Sequence, residues 1–355
     1  MSKLFTPVTV RDLTVRNRVW VSPMCQYSSV DGMPNDWHLM HLGQFAAGGA
    51  GLVMTEASAV VPEGRISPRD AGIWNDEQAA AWRRVTDFVH AQGAATCMQL
   101  AHAGRKASTR APWQGRGPVA EGEGGWQPVG PGTVAFGDDN PPRALTDDET
   151  AALPDAFAAA ARRAVSAGFD AVELHFAHGY LVHQFYSPLT NDRDGRYGGD
   201  FAGRVRLALE IAAAARAELG NDRPLFARLS ATDWVAGGWT VDDAVALSRL
   251  LAERGVDLID ASSGGNDLRA EIPLSPGYQV PFAARVRAEA DVPTGAVGLI
   301  TDADQAERII AGGEADVVFL ARALLRDPHW ALRAAHTLGA EVAWPDQYAR
   351  ASHWD

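Results

Sequence analysis

The chain alternates short apolar, β-branched segments with longer amphipathic, alanine-rich ones, and this alternation repeats eight times. The short segments have the length and residue types of buried strands, and the longer ones have the length of helices. Eight strand–helix units favour a single closed (β/α)₈ TIM barrel over an open doubly wound sheet. The expected strands span residues 19–24, 52–57, 95–100, 171–176, 225–230, 257–262, 293–298 and 316–321.

A helix is expected after each strand. The last one is expected to begin at Asp327-Pro328, with Pro328 in the first helical position, and to end before Gly339. The other seven are expected at 37–47, 76–91, 147–167, 201–219, 241–254, 281–290 and 302–311.

The third strand is separated from its helix by a long insertion rich in Gly, Pro and Trp. Loops of this length inside a compact fold are commonly lids or binding loops. The aromatic side chains Trp113, Trp126 and Phe136, with Trp74 nearby in the sequence, favour an ordered cover over the barrel.

Composition limits the partners of the chain. Its net charge of −12, from 32 basic and 44 acidic residues, disfavours binding to nucleic acid or to an anionic membrane. Two cysteines cannot form a disulfide framework and fall short of an iron–sulfur site. No secretory signal and no apolar run long enough to span a membrane is visible, so we expect a cytoplasmic protein. No linker divides residues 1–355, which we interpret as one domain.

In a (β/α)₈ barrel the chemistry lies at the C-terminal ends of the strands. Polar, titratable and small residues occupy those ends here and are expected to meet on one rim. In strand order they are Ser22 to Tyr27; Glu56 and Ala57; Gln99 to His102; His175 to Tyr180; Arg228 and Ser230; Ser262 to Gly265; Gly298; and Ala321 and Arg322.

The last two strand ends are typical of a phosphate site, since Gly298 permits close backbone approach and Arg322 supplies a positive charge. The alternative is a tight turn beside a surface arginine. Gln99 and Arg228 together offer an amide and a cationic fork, which suit a flat heterocycle whose reduced form is anionic. The alternative there is a buried arginine paired with a carboxylate.

His175, His178 and Tyr180 form the most unusual cluster. With Glu173 as a third ligand, the two histidines would bind a metal ion. Alternatively, they donate N–H groups to a carbonyl oxygen while Tyr180, with an ordinary pKa of about 10, supplies a proton. Ordinary packing of buried histidines is a third interpretation, and Tyr180 favours proton chemistry. Cys25 lies at a strand end where a thiol meets a ligand, whereas Cys97 is expected in the core.

Several ordered motifs resemble those of the Old Yellow Enzymes, which are FMN-dependent ene-reductases, and in particular the thermophilic-like class that includes bacterial xenobiotic reductases. The resemblance extends over essentially the whole chain. The motifs are Ser22-Pro23-Met24-Cys25-Gln26-Tyr27, Glu63-Gly64-Arg65-Ile66, Gln99-Leu100-Ala101-His102-Ala103-Gly104-Arg105-Lys106, His175-Phe176-Ala177-His178-Gly179-Tyr180-Leu181, Tyr197-Gly198-Gly199 and Gly277-Tyr278-Gln279-Val280-Pro281.

The resemblance implies bound FMN. Gln99 and Arg228 would bind the pyrimidine edge of the flavin, and Arg228 near N1 would stabilise the reduced anion. Cys25 would lie near the reactive edge and tune the potential. The residues implied to line the flavin or its phosphate are Ser22, Pro23, Met24, Cys25, Ala57, Gly298, Ala321 and Arg322.

The resemblance also implies a ping-pong reaction in which NADPH supplies the hydride and leaves before the substrate binds. His175 and His178, with Tyr27, would bind the carbonyl oxygen of an α,β-unsaturated ketone, aldehyde or maleimide, or a nitro group. The β-carbon would accept hydride from flavin N5, and Tyr180 would protonate the α-carbon. A homodimer or homotetramer is implied, in which Arg350 of the tail 340–355 reaches a neighbouring active site and contacts substrate.

The chain departs from the family pattern at three places. Ala321 replaces the usual glycine of the strand 8 phosphate turn, Val297 replaces a tryptophan found in some relatives, and the tail 351–355 differs from the usual Gly-Trp ending. The alternatives are a metal-dependent barrel hydrolase or lyase using Glu173, His175 and His178, and a barrel that has lost its cofactor. A larger acyl-CoA reductase with an iron–sulfur cluster would need more cysteines.

Overall fold

Eight parallel strands close into a barrel in the computed structural model, which describes residues 2–352. Each strand pairs with its neighbours in sequence order, and the ring closes where the first strand pairs with the eighth, with Val19 opposite Val318. The predicted (β/α)₈ barrel is therefore confirmed. The strands are β1 (Val19–Val21), β2 (Leu52–Met54), β3 (Ala95–Ala101), β4 (Ala171–Phe176), β5 (Leu225–Ser230), β6 (Leu258–Ser262), β7 (Thr294–Ala296) and β8 (Val317–Leu320).

Within residues 2–352, eight helices of eight residues or more surround the barrel, and a side-chain cap marks the start of six of them. Asn35, Asn75, Thr146 and Thr240 each accept a hydrogen bond from a backbone N–H of the first helical turn. The helices are α1 (Asp36–Ala47), α2 (Asp76–Ala91), α3 (Asp147–Ser166), α4 (Phe201–Leu219), α5 (Val241–Glu253), α6 (Val280–Ala290), α7 (Ala303–Ala311) and α8 (Trp330–Thr337).

The predicted start of the last helix is wrong. Pro328 lies in a turn and α8 begins at Trp330, because the Asp327 side chain accepts a hydrogen bond from the backbone N–H of His329 at 3.1 Å. An aspartate that binds the backbone two residues ahead makes a turn rather than a first helical turn. A short helix, Arg322–Arg326, precedes this turn and was not predicted.

Four predicted strands are too long at their C-terminal ends. β1 and β2 end three residues earlier than predicted, β7 two residues earlier and β8 one residue earlier. A hairpin of two three-residue strands, Val8–Val10 and Leu13–Val15, was also not predicted. It packs against the N-terminal end of the barrel, since Val15 belongs to the apolar cluster inside it.

An apolar plug fills the lower barrel. The Trp20 ring lies 5.5 Å from that of Phe226 and 5.6 Å from that of Phe319, measured between ring centroids. Cys97 is fully buried in the same cluster, as predicted for a core thiol. Because this plug closes the barrel from below, ligands approach only the opposite rim.

The insertion between β3 and α3 is an ordered cover, as predicted. The Arg65 guanidinium lies between the rings of Trp74 and Trp126, at 5.4 and 4.8 Å from their centroids. The Phe136 ring lies 4.3 Å from Lys106 Nζ. Trp113 is 64% exposed and touches the rest of the site through the edge of Tyr27. Within residues 2–352, no helix has the length and apolar character needed to cross a bilayer.

Candidate active site

A polar layer lies directly above the apolar plug. Gln99 on β3, Glu173 on β4, Arg228 on β5 and Asp260 on β6 are all at most 5% exposed. Strand register aligns them, because Gln99 pairs with Glu173 and Arg228 pairs with Asp260. Between β4 and β5, Arg228 lies opposite His175. Gln99 and Arg228 each lie two residues before the end of their strand, in the C-terminal half of the barrel.

Each member of this layer has a defined partner. Gln99 Nε2 donates to Glu173 Oε1 at 2.7 Å, and Arg228 Nη2 donates to Ser22 Oγ at 2.8 Å. Arg228 Nε lies 2.6 Å from Asp260 Oδ2 in a buried ion pair. Arg228 therefore also has the carboxylate partner that the alternative interpretation expected. Asp260 was not predicted as a site residue, because nothing in its local sequence distinguishes it from a core residue near the end of a strand.

Burial changes the acid–base properties of the layer. Burial and the neighbouring negative charge of Asp260 raise the pKa of Glu173 above its usual range. Burial also raises the pKa of Asp260, although Arg228 acts in the opposite direction.

The two histidines and Tyr180 lie around the turn that follows β4. The His175 ring is 5.2 Å from the His178 ring and 5.0 Å from the Tyr180 ring, and both contacts are close to perpendicular. This compact arrangement requires a left-handed backbone at His178 and Gly179, with φ of 60° and 72°. The structure therefore brings the three predicted catalytic residues together.

Hydrogen bonds orient both imidazoles. The backbone N–H of Ala177 donates to His175 Nδ1 at 3.3 Å, so the other ring nitrogen, Nε2, carries the proton. His178 Nε2 lies 2.7 Å from Ser262 Oγ, and the His178 backbone N–H donates to Ser230 Oγ at 2.9 Å.

All three side chains are uncharged at neutral pH. Burial, followed by the positive charges of Arg228 and Lys106, lowers the pKa of His175 well below its usual range. The pKa of His178 is lowered in the same way, with burial as the main cause. Burial raises the pKa of Tyr180 well above its usual range, so the phenol keeps its proton.

A second group of residues supports the turn after β4 through hydrogen bonds to its backbone. The sequence did not indicate this supporting role. The Gly179 backbone N–H donates to His183 Nδ1 at 2.9 Å, and His183 Nε2 lies 2.8 Å from Asp233 Oδ1. Lys106 Nζ donates to the carbonyl oxygens of His178 and Gly265 at 2.8 and 2.9 Å. His183 follows the Gly-Tyr motif by a few residues, but its partner Asp233 lies on a distant loop, so no spacing indicates the pair.

Cys25 and Tyr27 form one wall of the pocket. They pack with Ala57 and Tyr180 in one small apolar cluster. Burial raises the pKa of both the Cys25 thiol and the Tyr27 phenol, and the buried Asp70 carboxyl adds to both effects. Pro23 and Met24 are half-buried and connect this wall to β1.

The ends of β7 and β8 enclose a cavity of about 120 Å³ that Gly298, Ala321 and Arg322 line, together with Thr301 and Arg326. Gly298 has a φ of 113°, and a Cβ there would lie 2.8 Å from Gln279 Nε2, so this position requires glycine. Ala321 has a φ of −115° and a ψ of −92°. The cavity is open with the alanine methyl group in place. The cavity, with two cationic side chains, fits a phosphate group.

Arg350 does not lie beside the other predicted site residues of its own chain. It is exposed in a short helix, Asp346–Ala351, where the neighbouring Tyr348 ring lies 5.5 Å from the His329 ring. Residues 353–355 of the predicted tail lie outside the described residues. In residues 2–352, no three or more His, Cys, Asp or Glu side chains are arranged to hold a metal ion. Glu173 instead accepts a hydrogen bond from Gln99.

Known proteins resemble the chain over nearly its whole length. NADPH dehydrogenase of Halalkalibacterium halodurans is 43% identical over 351 residues, which is 98% of each chain. NADPH dehydrogenase of Listeria innocua is 44% identical over 354 residues, which is 99% of each chain.

Solved structures agree with this relationship. Morphinone reductase in complex with tetrahydroNAD has a TM-score of 0.79 at 28% identity, covering 98% of this chain and 93% of that one. A 2-naphthoyl-CoA reductase has a TM-score of 0.85 at 25% identity, but this chain spans only 52% of its length. An old yellow enzyme homologue from Zymomonas mobilis has a TM-score of 0.77 at 25% identity, covering 96% of this chain and 94% of that one.

A family model described as the NADH:flavin oxidoreductase / NADH oxidase family matches residues 3–341. Together with the barrel and its polar rim, this match leads to one conclusion. The chain belongs to that family, and it is an oxidoreductase of the Old Yellow Enzyme type that uses FMN as its cofactor and NADPH as its reductant.

Proposed function

We propose that this enzyme reduces carbon–carbon double bonds that are activated by a carbonyl group, as in enones, enals and maleimides, or by a nitro group. The observation that carries the proposal is the convergence of two neutral imidazoles and one neutral phenol, His175, His178 and Tyr180, above the Gln99–Arg228 layer. When bound, FMN accepts hydride from NADPH and passes it to the substrate.

The floor of the pocket presents groups that match the pyrimidine edge of the flavin. Because Gln99 Nε2 is bound to Glu173, its carbonyl oxygen remains to accept a hydrogen bond from a ring N–H. Arg228 supplies fixed positive charge beside it. We assign the phosphate to the cavity of Gly298, Ala321 and Arg322. The flavin is proposed to be lined by Ser22, Pro23, Met24, Cys25 and Ala57.

The two histidines are proposed to bind the substrate oxygen. Since Nδ1 of His175 is an acceptor, its Nε2–H is a donor. If the Ser262 hydroxyl donates to His178 Nε2, the remaining nitrogen of His178 is a second donor. Two such donors withdraw electron density from the double bond, and this makes the β-carbon a better hydride acceptor. Tyr27, on the opposite wall, adds a further hydrogen bond.

Tyr180 is proposed to deliver the proton to the α-carbon. Its raised pKa keeps the phenol protonated until negative charge develops on the substrate. Lys106 Nζ lies 5.0 Å from the Tyr180 ring, and a cation at this distance stabilises the phenolate that remains.

We further propose that the enzyme is a homodimer or homotetramer in which Arg350 contacts substrate in a neighbouring protomer. We also propose a cytoplasmic location. The metal-dependent hydrolase or lyase is not favoured, because Glu173 is held by Gln99 and His178 by Ser262.

Tyr180→Phe tests the proton transfer. Reduction of the bound flavin by NADPH should continue at close to its normal rate, whereas reoxidation by an enone should slow by about 10²–10⁴, the usual contribution of a general acid. Stopped-flow absorbance measures the two half-reactions separately. Tyr197→Phe is a matched control, because its hydroxyl binds Glu210 on the outside of the barrel.

Equal reoxidation rates in Tyr180→Phe and the natural enzyme would remove Tyr180 from the mechanism. A slowing of both half-reactions by the same factor would instead indicate a structural role.

A further inference from the structure

Two buried carboxyl groups in the polar layer share one cation. Glu173 and Asp260 are both 0% exposed, and Arg228 is the basic group of the layer. Arg228 Nε lies 2.6 Å from Asp260 Oδ2, while Glu173 is held through Gln99. Within residues 2–352, Glu173 Oε2, both Asp260 oxygens and Arg228 Nε make no hydrogen bond, so Asp260 and Arg228 contact each other as an ion pair.

Charge counting indicates that this layer holds a proton. If both carboxyls were ionised, two negative charges would face one positive charge among side chains that are at most 5% exposed. An uncompensated buried charge is costly, so one of the two carboxyls takes a proton instead. The raised pKa of Glu173, caused by burial and by Asp260, agrees with a proton on Glu173 and an ionised Asp260 paired with Arg228.

The neighbouring groups do not take part in this balance. Cys97, two residues before Gln99 on β3, has its pKa raised by burial and by Glu173, so its thiol stays neutral. His175, two residues after Glu173 on β4, has its pKa lowered by burial and Arg228. On β5 and β6 the facing groups are Arg228 and Asp260 themselves, and Ser22 on the far side of Arg228 does not titrate.

We propose that Glu173 and Asp260 form a proton store below the flavin, which holds one proton when the flavin is oxidised and takes up a second from solvent when NADPH reduces it. The proposal rests on the placement of the pyrimidine edge against Gln99 and Arg228 given above. A reduced flavin that is anionic at N1 competes with Asp260 for the single guanidinium. Protonation of Asp260 removes this competition.

The step balances in atoms and electrons. A hydride, with its electron pair, moves from NADPH to flavin N5 and leaves NADP⁺ and a reduced flavin anion, so this transfer consumes no solvent proton. The additional proton comes from water and forms an O–H bond on the Asp260 carboxylate. The net charge of the layer plus flavin is therefore the same before and after reduction. On reoxidation by substrate, Asp260 releases its proton to solvent.

The test is the number of protons taken up when the holoenzyme is reduced. We would add one equivalent of NADPH anaerobically in weak buffer with a pH indicator, between pH 6 and pH 8. The natural enzyme should take up between about half a proton and one proton per flavin near neutral pH. Asp260→Asn should take up almost none. Glu173→Gln has the same charge as the protonated Glu173 and keeps an acceptor for Gln99, so it should take up as much proton as the natural enzyme, with its half-maximal uptake at about the same pH.

Glu210→Gln, a carboxylate at the outer surface that pairs with Arg196, is the control and should behave as the natural enzyme. Absence of uptake in the natural enzyme, or full uptake in Asp260→Asn, would overturn the proton store. If Asp260→Asn does not retain FMN, Glu173→Gln decides: uptake like that of the natural enzyme supports Asp260 as the acceptor, and absence of uptake in this variant overturns the store.

A separate variant distinguishes this result from a failure of the proposed flavin placement. Gln99→Leu should weaken FMN binding if the pyrimidine edge lies on Gln99. Unchanged FMN affinity in Gln99→Leu would contradict the placement, whereas normal FMN binding and reduction without proton uptake would contradict the store alone.

Discussion

Asp233 should stabilise both the fold and the catalytic turn, although it contacts neither substrate nor cofactor in the proposed reaction. It is fully buried and accepts hydrogen bonds from Ser187 Oγ at 2.6 Å and from the Trp239 backbone N–H at 2.9 Å. His183 Nε2 lies 2.8 Å from its Oδ1. Because His183 Nδ1 accepts from the Gly179 N–H, Nε2 carries the proton and donates to Asp233.

The expected cost of removing Asp233 follows from these contacts. Asp233→Ala leaves three buried donors without an acceptor, and since each buried unsatisfied group costs about 1–3 kcal/mol, we expect a loss of at least about 3 kcal/mol of unfolding free energy. Asp233→Asn keeps an acceptor for His183 but places an amide N–H₂ beside two donors. We expect about 1–3 kcal/mol for that variant, the usual cost of a buried unsatisfied group.

Urea denaturation followed by circular dichroism measures both values. Glu218→Ala is the control, since its surface ion pair with Arg162 should contribute at most about 1 kcal/mol. The three hydrogen bonds to Asp233 outweigh its burial and hold its pKa below the usual range. Its stabilisation is therefore present above the unfolded pKa of about 4 and is lost as the pH falls through the lower folded pKa.

Asp233→Ala should also slow reoxidation by an enone more than reduction by NADPH, because Gly179 loses its anchor and the turn carrying His178 and Tyr180 is no longer fixed. A loss of less than about 1 kcal/mol in Asp233→Ala would refute this reasoning, since such a value is typical of an exposed pair. Equal losses in the Asn and Ala variants would refute the assignment of the remaining acceptor to His183.

Two further predictions concern the substrate oxygen and the phosphate. His178→Ala should weaken binding of a phenolate ligand by about tenfold or more, the equivalent of one hydrogen bond to a charged group, whereas the surface variant His90→Ala should bind it normally. Spectral titration measures both affinities, and an unaltered affinity in His178→Ala would contradict the oxygen-binding role. Ala321→Gly should leave the FMN dissociation constant within about threefold, because the cavity at the ends of β7 and β8 is already open with alanine at 321. A large gain in affinity would mean that the methyl group crowds the phosphate.

Long, regular segments made the barrel predictable from sequence. The predicted segments 171–176 and 225–230 match β4 and β5 at both ends, because each forms one continuous six-residue strand of the barrel. The hairpin of Val8–Val10 and Leu13–Val15 has too few residues to show a period. Pro328 was misplaced because a proline after an aspartate fits both a helix start and a turn, and the side-chain bond to His329 selects the turn.

The site was predictable where its residues end strands, and not where they support those residues from elsewhere. Gln99, Arg228, His175 and Tyr180 lie at strand ends, which the barrel brings to one rim. Asp233 contacts His183 across 50 positions of sequence, and this contact exists only after the chain has folded. Single-sequence patterns report local period and spacing, so they do not reveal such partners.

The most direct test of the central claim is an anaerobic visible titration of the purified protein, first with NADPH and then with cyclohexenone. We predict a flavin band that bleaches with NADPH and returns in full when the enone is added. A band that bleaches but does not return with the enone would contradict reduction of activated double bonds. Absence of a flavin band, even after addition of FMN, would contradict the proposed binding of the cofactor at Gln99, Arg228 and the cavity of Gly298.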